Sequence, residues 1–315
     1  YKRQIVRLLQ EEGYVHLSCG DSCGVGSAKK VMEGTGMDQM LEDYGVTIVD
    51  FNEGSTVSYP QGHTAKEFFL AKPVQETDAL INLCKMKTHA LERVTGGVKN
   101  LYGCISGLHK AKGHTKYTNA DIFARQLIDL NQLIKPRFCV MDGIVAMDGN
   151  GPTSGDPVKM KVLLLGNDPV AIDSVYCHLV HLDPQMVPTN VHGETMGLGT
   201  WREENIRLLT DGGEITMQEA VERFGNPDFN VDRKKQRGNL WNRFNNGFLR
   251  YFQKKPYIEE DKCKKCGICV EACPVEGKAL QFKNGRRKPP VYNYHKCIRC
   301  FCCQEMCPHK AIQVK

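Results

Sequence analysis

Eight cysteines near the C-terminus fall into two runs whose spacing suits the grip of an iron–sulfur cubane. Cys263, Cys266 and Cys269 follow C-x2-C-x2-C, with Cys273 and Pro274 beyond them. Cys297, Cys300 and Cys303 repeat the pattern, with Cys307 and Pro308. Three thiolates on one short loop can cover three corners of a cubane, and the fourth must come from elsewhere. In domains built of two such runs, the fourth cysteine of each run serves the other cluster. The spacing therefore predicts two 4Fe-4S clusters, one held by Cys263, Cys266, Cys269 and Cys307, the other by Cys297, Cys300, Cys303 and Cys273. Cys302, the ninth cysteine of the region, is left without a ligand role. A structural zinc site would need only paired CxxC units. Two clusters in one small domain form a relay, so the chain is expected to move electrons.

A second set of chemical groups lies far upstream. Lys85, Lys87 and His89 alternate beyond an apolar run, and side chains two apart share one face of an extended chain. Lys99, Asn100, His109 and His114 follow within 30 residues. Lysines and amides suit a carboxylate or phosphate, and a histidine can move a proton. These residues predict a small anionic substrate held by Lys85, Lys87 and Asn100, with His89, His114 and Lys99 as catalytic groups; the bland alternative is a solvated basic loop. Asp142, Asp148, Asp156 and Asp173 sit in or near Gly-rich stretches. Asp142 and Asp173 are the candidates for substrate contact or for a divalent metal, although acids in such loops are commonly turn formers. Residues 19–26 (CGDSCGVG) are a weak candidate for a phosphate cradle at a helix start, and Cys19 and Cys23 stand as CxxxC.

The elements that must position these groups follow from the apolar pattern. Short apolar runs at residues 14–18, 46–50, 79–83, 137–142 and 161–165 alternate with helical spacing at 28–33, 120–133 and 169–182, where Asp168 and Pro169 form a helix start. This alternation predicts an α/β fold with a mostly parallel sheet and flanking helices over residues 1–225, its working residues on loops after the strands. Residues 261–315 form a small α+β two-cluster ferredoxin-like domain. Between them, residues 226–260 are a basic linker in which Trp241, Phe244, Phe248 and Phe252 recur at helical spacing. That face is expected to pack one domain on the other, with an anionic membrane surface as the alternative.

Composition narrows the class. Of 15 cysteines in 315 residues, nine crowd into residues 263–307, which argues for metal and against a disulfide scaffold. A reducing, anaerobic compartment is expected. No transmembrane segment or leader is legible, so the expected location is cytoplasmic. The net charge is +6. From Asp261 onward there are 12 Lys and Arg against 4 Asp and Glu, so the C-terminal domain is the basic part. No nucleic-acid motif accompanies that charge, and an acidic ferredoxin- or flavodoxin-like electron carrier is the expected partner.

The segment Asn82 to His89 (NLCKMKTH), Gly96 to Gly103 (GGVKNLYG), His114, Asp142-Gly143 and residues 166–173 (GNDPVAID) together resemble the family of the domain of unknown function 362, over roughly residues 14–210. The C-terminal 55 residues resemble bacterial two-cluster ferredoxins, which members of that family often carry. The family's Lys-Pro-Asn element has no counterpart in this sequence. The resemblance implies no reaction. The residues are read as an iron–sulfur oxidoreductase acting on an anionic substrate or cofactor in the α/β domain; the alternatives are a non-enzymatic electron-transfer subunit, or a metal-dependent lyase or racemase with structural clusters.

Overall fold

Connection length decides how the central sheet is wired. A parallel crossover needs about a dozen residues or more, whereas a short turn can only reverse the chain. Strand Ile81–His89 runs into Arg93–Thr95 through residues 90–92, so that pair is antiparallel. Strand Phe138–Asp148 turns through residues 149–155 into Asp156–Val158, and residues 159–161 lead on to Val162–Gly166; both later strands pair antiparallel with Phe138–Asp148. Only Ile81–His89 and Phe138–Asp148, separated by a helical crossover, are parallel in this sheet. The expected mostly parallel sheet is therefore corrected to a mixed, five-stranded one. The computed structural model describes residues 1–22, 28–106, 109–117, 119–234, 254–283 and 285–315.

Helices pack on the face of that sheet that carries Cys84, Met86 and Met141. Ala120–Ile134 starts where the Asn119 side chain accepts the Ile122 N–H, and ends at Lys135, which adopts φ 53°. Pro169–Leu179 starts at Asp168, whose carboxylate accepts the N–H groups of Val170 and Ala171. One core packs Cys84, Met86, Met141, Tyr176, Leu179 and Phe229; the other packs Val98, Leu101, Phe123, Leu127, Ile128 and Val170. Each large apolar side chain so buried contributes about 1.5–3 kcal/mol. The hairpin of Gly54–Ser58 and Glu67–Ala71 joins the second core. Its turn is held by Asp129, a fully buried carboxylate that accepts the N–H groups of His63, Thr64 and Ala65. Nearer the N-terminus, Ser18–Asp21 pairs parallel with Thr47–Asp50.

The C-terminal unit is made of short pieces. Pro256–Ile258 pairs antiparallel with Ile312–Val314, and Leu280–Gln281 with Val291–Tyr292. Two four-residue helices, Ile268–Glu271 and Cys302–Glu305, follow residues in the left-handed region, Gly267 and Phe301. The expected aromatic helix carrying Trp241, Phe244, Phe248 and Phe252 lies outside the described residues, as does Cys23. Among the described residues no helix is long and apolar enough to cross a membrane.

Candidate functional site

The lysine-bearing segment is strand, not loop. Hydrogen-bonded to Phe138–Asp148 on one side and Arg93–Thr95 on the other, strand Ile81–His89 continues through the residues expected to lie beyond it. Its alternation sends Cys84 and Met86 into the core and leaves Lys85 and Lys87 half-buried on the opposite face. Lys85 is spent locally: its Nζ lies 2.6 Å from Asp142 Oδ2, directly across the parallel pair. Asp142 also accepts the Ile144 N–H. Lys87 has no such partner among the described residues. Burial, and then the Lys99 and Lys85 charges, lower its pKa below the usual lysine range, while Asp21 opposes the shift.

Lys99 is brought to the same place by a clamped helical turn, Gly97–Asn100. The buried Asp173 carboxylate accepts the N–H groups of Gly97 at 2.6 Å and Val98 at 3.1 Å, an anion against a helix start. Gly96 packs so close to that carboxylate that no Cβ fits there. Burial raises Asp173 to about 7 against the pull of those two N–H groups. Asp173, expected to meet substrate or metal, thus positions the turn that carries Lys99. Asn100 likewise braces the scaffold: its Nδ2 donates to Asn82 Oδ1 at 2.8 Å, while Asn82 Nδ2 donates to the Gly97 carbonyl. Asp148 accepts the Asn230 N–H, and His109 stacks on Phe69. His114 lies on the helix His109–Lys116, with its side chain outside the described residues.

His89 is wholly buried and engaged at both nitrogens. Its Nδ1 accepts the N–H groups of Leu91 and Glu92, each at 3.1 Å, so the ring proton sits on Nε2 and points at Glu305 Oε1, 2.9 Å away. Burial, with the Lys99 charge, lowers its pKa to about 4. It is therefore held neutral, not poised as an exposed acid. Beside it lies Glu92, which the sequence reading passed over because one glutamate in a turn carries no motif. Glu92 is fully buried with neither carboxylate oxygen hydrogen-bonded, and burial pushes it up to about 8 against the pull of Lys99.

Glu305 belongs to the cysteine-rich unit, so His89 marks where the two units meet. Gln304, also fully buried, donates to the Asn150 carbonyl, Asn150 Oδ1 and the Gly151 carbonyl at 3.0 Å each. Asn150 Nδ2 donates to the Ile312 carbonyl, Thr153 Oγ1 to the Glu305 carbonyl, and Lys310 Nζ to the Gly155 carbonyl. The turn after Phe138–Asp148 is thus a seat for the helix Cys302–Glu305.

The cysteines of that unit gather in two groups. A cavity is lined by Cys263, Cys266, Cys269 and Cys307 among apolar neighbours such as Ile258, Pro290 and Ile312. Burial, and then the neighbouring Cys307, Cys266 and Cys263, push the Cys269 thiol up to about 12. Cys297 senses Cys300 and Cys273 in the same way, and Cys303 senses Cys300 and Cys297. Backbone N–H groups of Ala279 and Ala311 donate to Cys273 Sγ at 3.3 Å and Cys307 Sγ at 3.4 Å. Such bonds stabilise thiolates and raise cluster potentials. Among the described residues no three His, Cys, Asp or Glu side chains converge as a single metal ion requires. A cubane differs in taking one thiolate per iron at separate corners.

Residues 1–178 match the family described as domain of unknown function 362, and residues 255–308 match the 4Fe-4S dicluster domain. The chain is 35% identical over 214 residues to a thylakoid-associated protein of Synechocystis sp., covering 68% of this chain and 66% of that relative, just under two thirds of its length.

Proposed function

The chain belongs to the family of the domain of unknown function 362 and carries a 4Fe-4S dicluster domain, and from that premise we propose that it is an iron–sulfur oxidoreductase acting on a small anion at the lysine strand. In this reading Cys263, Cys266, Cys269 and Cys307 hold one 4Fe-4S cluster, and Cys273, Cys297, Cys300 and Cys303 a second. Bound there, the clusters would pass electrons one at a time. The observation that supports this most is the seating of the helix Cys302–Glu305 on the end of strand Ile81–His89, through Gln304 and the Glu305–His89 contact. It brings Glu305, two residues beyond Cys303, against the end of the strand that carries Lys87.

Lys87 and Lys99 are the residues assigned to bind a carboxylate or phosphate, since Lys85 is already neutralised by Asp142. His89, assigned on sequence to proton transfer, is reassigned to docking, because both nitrogens are engaged and the ring is buried. Proton delivery falls to Lys87, whose depressed pKa makes its ammonium a better acid than a free lysine. The electron source is an acidic carrier protein, and the compartment the cytoplasm.

The test is an anaerobic reductive titration of the purified holoprotein, followed by reoxidation with a panel of small carboxylates and phosphate esters. One compound should reoxidise it, and Lys87→Ala and Lys99→Ala should each slow that step about tenfold or more at unchanged iron content. Unchanged rates in both variants would remove the site. A second reading, a non-enzymatic electron-transfer subunit, draws on the Lys85–Asp142 pair, which leaves the lysine face partly neutralised and fit for a protein surface. A stably co-purifying partner with no small-anion response would decide for it.

A further inference from the structure

We propose that the loop joining Leu280–Gln281 to Val291–Tyr292 docks an acidic one-electron carrier protein, so that electrons cross the molecular surface at the Cys263, Cys266, Cys269 and Cys307 group. This deepens the oxidoreductase reading and rests on it.

Three observations converge. The two cysteine groups differ in exposure: Cys263, Cys266 and Cys307 are only half-buried, whereas Cys273, Cys297, Cys300 and Cys303 are all buried. The helix that carries Cys303 of the buried group is held to the α/β unit through Gln304 and Glu305. The half-buried group is the more open of the two to an outside protein.

The charge at that end is concentrated, with Arg286 lying over the Phe282 ring, 5.8 Å from its centroid. Lys283, Arg286, Arg287 and Lys288 are all exposed, and no acid interrupts residues 281–290. None of the four has an ion pair among the described residues. Three other cations of the unit are committed: Lys262 pairs with Glu259, Lys278 donates to the carbonyls of Glu271 and Cys273, and Lys310 donates to Gly155. Glu260 and Asp261 are exposed nearby, but Lys264 and the half-buried Lys265 offset them.

The loop also reaches the cysteines. The Arg286 guanidinium lies against Gly267, which itself lines the cavity of the half-buried group. At the foot of the loop Val291 is 46% exposed, an apolar contact inside a basic rim. A basic rim around a small apolar spot suits brief, salt-sensitive encounters with an acidic surface. In each encounter the carrier loses one electron and the holoprotein gains it, with no bond broken and no proton crossing the interface.

The probe is a reduced plant-type 2Fe-2S ferredoxin, an acidic one-electron carrier, mixed anaerobically with the full-length holoprotein in stopped flow. The triple variant Arg286→Glu, Arg287→Glu, Lys288→Glu should lower the second-order rate about 10- to 100-fold and abolish its decline with ionic strength. Iron content and reduction by dithionite should match the unmodified protein, and Lys159→Glu with Lys161→Glu, on the α/β unit, should leave the ferredoxin rate unchanged. A ferredoxin rate indifferent to the triple reversal overturns the proposal. So does a rate in the unmodified protein that does not fall with salt, a measurement that needs no variant. Loss of binding to phosphatidylserine vesicles without any change in the ferredoxin rate would reassign the loop to a membrane surface. If the ferredoxin results hold while no small anion reoxidises the protein, the docking face stands and the oxidoreductase reading fails.

Discussion

The two halves of the cysteine-rich unit share one backbone and differ in a few side chains. Lys265 and Arg299 sit at φ 58° and 59°, and Gly267 and Phe301 at 90° and 62°. Each half then makes a four-residue helix, Ile268–Glu271 or Cys302–Glu305, and each ends with an alanine N–H on a cysteine sulfur. Yet the second half places Gln304 where the first has Val270, and Phe301 where it has Gly267. The first half stays at the surface and the second docks. A repeat can thus set the same local geometry twice, while single substitutions at equivalent positions decide what each copy touches.

The largest expected effect tests the crossing of ligands between halves. Cys307→Ala should strip iron from the group completed by Cys263, and Cys273→Ala from the group completed by Cys297, each losing about half of roughly eight irons. Iron analysis with electron paramagnetic resonance of the reduced protein would check this, and loss of each cysteine's own-half signal would break the crossed assignment.

Making the halves alike should cost the docking. Gln304→Val gives the second half the residue of the first and strands three acceptors on Asn150 and Gly151, a loss of about 2–3 kcal/mol. Hydrogen exchange should rise in Cys302–Glu305 and not in Ile268–Glu271.

Acid should separate the halves as well. Burial and the Lys99 charge hold His89 to about 4, below its ordinary 6.5, against the pull of Glu305, so its neutral form is favoured in the folded protein. The stability this confers is complete above pH 6.5 and is lost as pH falls from there towards 4, about 2 kcal/mol by pH 5. Exchange at Cys302–Glu305 should accelerate across that window while the first half stays level.

The smallest effect concerns the left-handed position. Phe301→Gly relieves about 1–2 kcal/mol of backbone strain but removes a ring that is only 4% exposed, worth about 3 kcal/mol. A net loss of about 1 kcal/mol is expected in chemical denaturation, because burial outweighs strain.

Much of the α/β unit was legible because its signals are local. The helix start at Asp168-Pro169 needs only those residues, and the strands near 47–50, 138–142 and 162–165 need only apolar runs. Strand direction was not legible from the alternation of elements alone, although the short connections after His89 and Asp148 hold the answer once the strand ends are known. The lysine segment was read as loop because Lys85, Lys87 and His89 are polar. They form strand because neighbours on both sides satisfy the backbone, and polarity on one face of a strand is no obstacle to pairing.

The sequence by itself determined the 4Fe-4S dicluster unit and the family, since thiolate spacing along a loop is a covalent fact that survives any packing. Only the tertiary structure decided that His89 is buried against Glu305, that Asp173 clamps a helical turn, and that Cys263, Cys266 and Cys307 stay half-buried while Cys273, Cys297, Cys300 and Cys303 are buried. Those outcomes depend on which surfaces meet, and residues 216 positions apart, as His89 and Glu305 are, acquire a shared hydrogen bond and a shared task only after the chain has folded them together.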